Sequence, residues 1–206
     1  MFSANNKFFN TAALIIICIL MSACSDKDAE ENIKEDTSDT SFEADTRSLE
    51  DTNTFDTDIF TITLGSDWIY DNDASEAVSE SSGITCYYFY HPEDGADSDS
   101  FNEHLTISVE DLSDTGKDFS TFKDLITEQM KSDAYTVNSA ESTVINGYDA
   151  WKVKYDSAAG DTVMKNYLVA LNVENTICSF TFTCGPEAYD SHLSLVDQLI
   201  SSAIFK

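Results

Sequence analysis

Several segments of the chain alternate apolar with polar residues, which is the pattern of half-buried β-strands. They are residues 60–64 and 104–110, and a third β-rich segment, 84–90, lies between them. In the last segment Leu105, Ile107 and Val109 share one face, and polar positions lie opposite them: His104, Thr106, Ser108 and Glu110. The middle segment, ITCYYFY, is apolar or aromatic on both faces. We therefore predict three strands in this part of the chain.

The clearest turn signal is Asn146-Gly147, which lies between two β-patterned arms in the stretch 142–155, STVINGYDAWKVKY. Asn and Gly both tolerate the positive φ angles of a type I′ turn, which fits the twist of a two-residue hairpin. Further turns at 158–161 and at Glu174-Asn175 separate two more arms, 163–173 and 177–184. This half of the domain is therefore predicted to be a four-stranded meander.

Two amphipathic helices complete the pattern. Asp118 is the predicted cap of the first, whose apolar residues are Phe119, Phe122, Leu125, Ile126 and Met130. Gly185-Pro186 introduces the second, whose apolar stripe is Tyr189, Leu193, Val196, Ile200 and Ala203. Segregated strands with short turns predict an α+β fold, in which two main helices pack on an antiparallel sheet of about six or seven strands. Apolar residues on both faces of the last strands indicate that both sides of the sheet are covered.

The first residues of the chain form a processing segment rather than part of the fold. Lys7 supplies a positive start, 12–21 is an unbroken apolar run, and Met21-Ser22-Ala23-Cys24 follows. Ten apolar residues are too few to span a bilayer, for which about 20 are needed. The tetrad resembles a bacterial lipobox, although Met21 stands where Leu is usual. We predict a signal peptide over 1–23 and a lipid-modified Cys24 that anchors the protein to the membrane on the extracytoplasmic side; the alternative is an ordinary secretory signal.

The following stretch, through residue 58, is acidic and poor in apolar residues. Between Ser25 and Asp58 there are 13 acidic and three basic residues, which gives a net charge of −10. Such a composition cannot form a core. We predict that 24–58 is the lipidated cysteine followed by a disordered tether, and that 59–206 is a single α+β domain.

Charge excludes one class of function. The chain has 11 Lys and Arg against 38 Asp and Glu, a formal net charge of −27. A nucleic-acid-binding surface needs the opposite sign. The predicted domain 59–206 alone carries −18 and contains no Arg. A cationic partner is the hypothesis that this charge suggests.

The chain lacks the common catalytic motifs. It contains no G-x-S-x-G, no phosphate-binding G-x-x-x-x-G-K-[ST], no H-E-x-x-H and no C-x-x-C. Its three histidines, His91, His104 and His192, lie in unrelated sequence contexts, and we expect each to be a solvated surface imidazole. An enzyme would require that His104 or His192 meet a carboxylate and a nucleophile in a cleft.

Three cysteines remain once the signal and the anchor are set aside: Cys86, Cys178 and Cys184. Cys178 and Cys184 lie on one face of one strand, about 20 Å apart, which is beyond the reach of a disulfide. One of them could pair with Cys86, and the alternative is that they pack as small buried hydrophobic residues.

Two features suggest ligands. The acidic loop 93–103, EDGADSDSFNE, offers Asp97, Asp99 and Glu103 as weak candidates for binding Ca²⁺, but it lacks the frame of an EF-hand. The second feature is the aromatic run 87–90, which cannot all face one core because neighbours in a strand point to opposite sides. One pair of these rings therefore lines a groove or lies beneath a cover on the second face of the sheet.

Four stretches give the region 59–206 a resemblance to a known family: Gly-Ser-Asp-Trp at 65–68, LTISVEDL at 105–112, INGYDAWKVKY at 145–155 and LISSAIF at 199–205. In order and texture the region resembles the PsbP-like family, which includes PsbP of photosystem II and DcrB-type bacterial lipoproteins. The resemblance implies an α/β/α sandwich and a binding or accessory module with no catalytic residues to carry over.

These inferences favour a membrane-anchored extracytoplasmic lipoprotein whose domain binds an unidentified protein or envelope component and is not an enzyme. The alternatives are a binding protein for a divalent cation or a small ligand, and an unrecognised hydrolase.

Overall fold

The computed structural model describes residues 52–91, 103–159 and 162–206. The described part of the chain forms ten strands and three helices. In chain order they are β1 (Thr52–Asp56), β2 (Phe60–Gly65), β3 (Ile69–Asp71), α1 (Asn72–Ser82), β4 (Thr85–His91), β5 (Glu103–Asp111), α2 (Phe119–Gln129), β6 (Tyr135–Ile145), β7 (Tyr148–Ala159), β8 (Thr162–Val173), β9 (Thr176–Cys184), α3 (Tyr189–Ser201) and β10 (Ile204–Phe205).

The strands form two antiparallel sheets. The large sheet has seven strands in the order β3-β4-β5-β9-β8-β7-β6, and the small sheet has the order β1-β2-β10. The meander β6 to β9 is consecutive in the large sheet, and β9 then pairs with β5. The fold is thus α+β with an antiparallel sheet, as the sequence predicts. None of the described helices has the length and apolar character needed to span a membrane.

Both faces of the large sheet are covered. On one face the small sheet and α3 bury a core that includes Phe60, Phe180 and Leu199. On the other face α2 packs Phe122 and Ile126 against β7 and β8. The predicted cover on both sides of the sheet is confirmed, and the two apolar clusters explain why strands in the middle of the sheet are buried on both faces.

Local signals place the Asn146-Gly147 turn and one helix start where they are predicted. Asn146 and Gly147 have φ angles of 53° and 86°, as a type I′ turn requires. The side chain of Asp118 accepts a hydrogen bond of 2.8 Å from the backbone N–H of Thr121, which caps α2. One residue of the predicted α2 stripe, Leu125, is 36% exposed and lies outside the core.

Four short elements were not expected from the sequence. Strand β1 occupies residues 52–56, which the sequence assigns to the tether, and it pairs with β2 of the domain. Phe55 of this strand packs into the core, with its ring centroid 4.9 Å from those of Tyr70 and Phe89 and 5.4 Å from that of Tyr87. The other three elements are β3, α1 and β10, so the domain has three helices instead of two.

Helix α1 closes one edge of the large sheet. The backbone N–H of Tyr88 donates to Ser75 Oγ at 2.8 Å, and that of Cys86 donates to Ser79 Oγ at 2.9 Å. Strand β3 pairs with the remaining end of β4. These contacts satisfy backbone groups that an edge strand would otherwise leave open. They also explain a helix with few apolar residues, because its serines contribute hydrogen bonds rather than a hydrophobic stripe.

Candidate functional site

Two of the three histidines meet at one end of the large sheet. Strand β4 ends at His91 and β5 begins at Glu103, and these two residues are paired across the strands. The first turn of α3 brings His192 onto the same spot. His192 Nε2 lies 3.3 Å from Glu103 Oε2, and the centroids of the His91 and His192 rings are 6.1 Å apart.

The hydrogen bonding of His192 fixes the roles of its two nitrogens. Nδ1 lies 2.9 Å from the carbonyl oxygen of Ala188, which can only accept, so Nδ1 carries a hydrogen. Nε2 then faces the carboxylate of Glu103, whose side chain is 4% exposed. Attraction between the two groups requires a proton on one of them. The two side chains lie within ion-pair distance, and this contact brings α3 against the start of β5.

Aromatic rings surround this histidine cluster, defined here as His91, Glu103 and His192. The ring of Trp68 lies 5.7 Å from His91, and the ring of Phe182 lies 6.2 Å from His192. On the outer side, His91 Nε2 is 3.7 Å from a carboxylate oxygen of Asp67. The expectation that His91 and His192 are solvated in unrelated contexts is wrong, because the fold packs both of them against the sheet.

Among the described residues, the cluster does not have the geometry of an activated nucleophile. Ser191 Oγ is 3.2 Å from His192 Nδ1, but that hydroxyl donates to the Ala188 carbonyl at 2.8 Å. Because Nδ1 also donates to this carbonyl, it has no lone pair with which to accept the serine proton. Burial, together with the nearby Glu103 carboxylate, raises the pKa of Cys184 to about 12, so its thiol stays protonated near neutral pH.

The third histidine, His104, lies on the opposite face of the large sheet and is 1% exposed. The ring of Tyr88 stacks on it with centroids 5.2 Å apart. The expected solvated position of His104 is therefore also wrong, although its strand face was correctly predicted. The aromatic run divides as the alternation requires, with Phe89 buried in the core beneath the small sheet and Tyr88 on the other face.

The cysteines behave as buried apolar residues. No disulfide joins Cys86, Cys178 and Cys184 to one another, and all three are buried. Burial raises the pKa of Cys178 to about 12. A disulfide between Cys86 and Cys178, which the sequence leaves open, does not form. Cys86 is paired with Ser108 and Cys178 with Val109, and these neighbours on β5 point to opposite faces of the sheet.

Most of the predicted site residues lie outside the described residues. These include the predicted anchor Cys24 and the loop residues Asp97 and Asp99. Glu103, the third candidate for Ca²⁺, faces His192. Over 52–91, 103–159 and 162–206, no three His, Cys, Asp or Glu side chains are arranged to hold a metal ion.

The lysines of the domain are used within the fold. Four of the seven in the described ranges form ion pairs with carboxylates of the same chain: Lys131 with Glu128, Lys152 with Asp197, Lys165 with Asp156 and Lys206 with Asp56. Lys123 and Lys154 lie over the rings of Phe119 and Tyr167, 5.2 and 5.7 Å from the centroids. Asp197 also accepts a hydrogen bond of 2.8 Å from the Tyr167 hydroxyl.

The acidic side chains, in contrast, are mostly turned outward. The outer stripe of α3 lines an open depression with Asp190, Ser194, Asp197 and Ser201. On α1 the exposed positions include Asp73, Glu76 and Glu80, with no basic residue in the helix. Negative charge therefore predominates among the exposed side chains of the described residues, and the exposed lysines Lys131 and Lys206 are each paired with a carboxylate.

No protein-family model matches the chain, and no curated protein matches it. Among solved structures, cyanobacterial PsbP (CyanoP) from Synechocystis sp. PCC 6803 is similar, with a TM-score of 0.57 and 16% sequence identity; the match covers 75% of this chain and 92% of that one. LpqN, involved in cell envelope biogenesis of Mycobacterium tuberculosis, is similar with a TM-score of 0.56 and 8% identity over 71% of this chain and 83% of that one. The chain therefore has a PsbP-like fold, as the resemblance in the sequence implies.

Proposed function

We propose that this protein is an extracytoplasmic lipoprotein, held to the membrane through Cys24, whose PsbP-like domain binds a cationic protein of the cell envelope and catalyses no reaction. The domain acts as an accessory module at the end of an acidic tether. Its negative surface attracts the partner and sets the rate of encounter more than the final affinity.

The proposal rests on the difference between the lysines, most of which are paired within the domain, and the carboxylates, many of which are exposed. At least four of the lysines in the described ranges are bound to carboxylates of the same chain, and Arg is absent from these ranges. The acidic residues that face solvent include Asp73, Glu76 and Glu80 on α1 and Asp190 on α3. A solvated acidic surface keeps most proteins apart, and it favours partners of the opposite sign.

Two further observations support a binding role. Neither of two described residues beside the histidine cluster is an activated nucleophile: Ser191 donates to a carbonyl, and burial raises the pKa of Cys184 to about 12. LpqN, which has the same fold, is described as involved in cell envelope biogenesis. The lipobox-like tetrad that ends at Cys24 would place this chain in the envelope as well.

The test is crosslinking in intact cells followed by mass spectrometry, with fractionation of the membrane in parallel. We expect a basic envelope protein to be crosslinked to the wild-type chain. A Cys24→Ala variant should leave the membrane fraction and lose that crosslink, whereas Cys18→Ala, a cysteine change inside the predicted signal, should leave both unchanged. Retention of the Cys24→Ala variant in the membrane would refute the anchor, and crosslinks only to acidic or neutral proteins would refute the cationic partner.

A further inference from the structure

We infer that the outer edge of β6 is the docking surface of the domain, and that it takes up an extended cationic segment of the partner as an eighth strand of the large sheet. This inference rests on the proposed function and adds the place and the form of binding. Strand addition to an exposed edge supplies affinity through main-chain hydrogen bonds and specificity through alternate side chains.

The two edges of the large sheet differ in length, because one ends in the three-residue strand β3 and the other in the 11-residue strand β6. At the β4 side, β3 and the serine hydroxyls of α1 cover the edge. At the far side β6 is the last strand, and β7 is its one pairing partner in the part of the chain that the structure describes. Residues 136–142 are exposed on both faces of the strand, so neither α2 nor α3 extends over them.

The hairpin geometry shows which backbone groups of β6 are available. Ile145 and Tyr148 flank the two-residue turn and form a hydrogen-bonded pair, and such pairs alternate along an antiparallel ladder. Thr143 and Glu141 therefore bond to β7. The N–H and C=O groups of Ala140, Ser142 and Val144 point away from β7 toward an incoming strand.

Natural edge strands are usually protected by lysine, proline or short length. Strand β6 has 11 residues, no Lys, no Arg and no Pro, and Val144 is 62% exposed. A register shift between Val137 and Ser139 marks a bulge that limits pairing to the hairpin end of the strand. The edge that remains, 139–145, is long enough for a short added strand.

Charge identifies the occupant. Glu141 is the one charged residue of β6, and Asp133 and Asp149 are exposed near the two ends of the strand. Lys152 lies directly across from Glu141, but its ammonium group is bound to Asp197 at 3.0 Å. Two more lysines lie near this edge: Lys154, across from Ser139, lies over the Tyr167 ring, and Lys131 is paired with Glu128. With these lysines and their partners counted, carboxylates still exceed lysines around the edge, which favours a segment carrying Lys or Arg and disfavours a second copy of this acidic chain.

The test uses a ten-residue peptide of alternating Lys and Val as the probe and the purified lipoprotein in detergent. Amide hydrogen exchange is measured at single residues with and without the peptide. We expect the amides of Ala140, Ser142 and Val144 to exchange rapidly in the free protein and to slow at least about tenfold with peptide, while those of Glu141 and Thr143 are already protected. Slowing that does not follow this alternation would overturn the inference, as would protection without peptide that grows with protein concentration.

Two variants at one position separate edge pairing from general attraction. Ser142→Pro removes an outward N–H without breaking a bond to β7, whereas Ser142→Ala keeps that N–H. We expect the proline variant to bind the peptide about tenfold or more weakly and the alanine variant to bind as the wild type does. If both variants bind the peptide with the same affinity, docking at the β6 edge is refuted. If the peptide does not bind while a basic partner is still crosslinked in cells, docking at the β6 edge is refuted and the proposed function stands. If the peptide binds the edge but no basic partner is crosslinked, the proposed function is refuted.

Discussion

The side chain of Asn146 holds the end of α3 to the β6–β7 turn. Its amide donates one hydrogen bond of 2.9 Å to the carbonyl of Ser201 and a second of 3.1 Å to that of Ala203. Asn146→Asp replaces these donors with a carboxylate that faces two carbonyls at the negative end of the helix. Asp tolerates the positive φ angle of this position, so the turn itself should survive the change.

The size of the effect follows from two contributions. Losing two partly exposed hydrogen bonds costs about 1–2 kcal/mol. Placing an anion at the C-terminal end of a helix costs about 0.3–1 kcal/mol more. The total of about 2 kcal/mol corresponds to a fall in Tm of about 4–8 °C for a chain of this length.

Thermal unfolding followed by circular dichroism measures this change. Asn146→Gly, which fits the turn but lacks the amide, should lower the Tm by less than Asn146→Asp does. Asn175→Asp, at an exposed position in another turn, controls for the added charge. If Asn146→Asp unfolds at the same temperature as the wild type or as Asn175→Asp, the contact with α3 does not contribute to stability.

Three other predictions concern the core and the candidate metal loop. Phe55→Ala should cost about 2–3 kcal/mol in urea unfolding because the ring contacts three other aromatic rings closely; no change would show that β1 is dispensable. Cys178 and Cys184, whose pKa values burial raises to about 12, should react with a thiol reagent at pH 8 only after unfolding, as mass spectrometry would detect. Titration with Ca²⁺ up to about 1 mM should give no saturable heat, since Glu103 faces His192; saturable heat would restore the 93–103 loop as a calcium site.

Local signals were enough to predict much of the fold. The β6–β7 hairpin is determined by Asn146-Gly147, and α2 is determined by its cap Asp118 and by apolar residues at helical spacing. The alternation of 104–110 placed His104 on the correct strand face. It did not show that this polar face is also buried, because burial depends on what packs above the sheet.

The elements that sequence patterns missed are those stabilised by contacts far away in the chain. Helix α1 has few apolar residues, and Ser75 and Ser79 bind the edge of β4 instead. Strand β1 lies in an acidic stretch, contributes the ring of Phe55 to the core and pairs with β2. The histidine cluster forms only when β4, β5 and α3 come together, so spacing along the chain gave no sign that His91 and His192 are neighbours.

The central claim is that an acidic, membrane-anchored domain binds a cationic partner. The most direct test is the affinity of the purified lipoprotein for the basic protein crosslinked in cells, measured between about 50 and 500 mM NaCl. We expect binding to weaken steadily as salt rises and Ser142→Pro to weaken it at every salt concentration. An affinity that does not change with salt would contradict the claim.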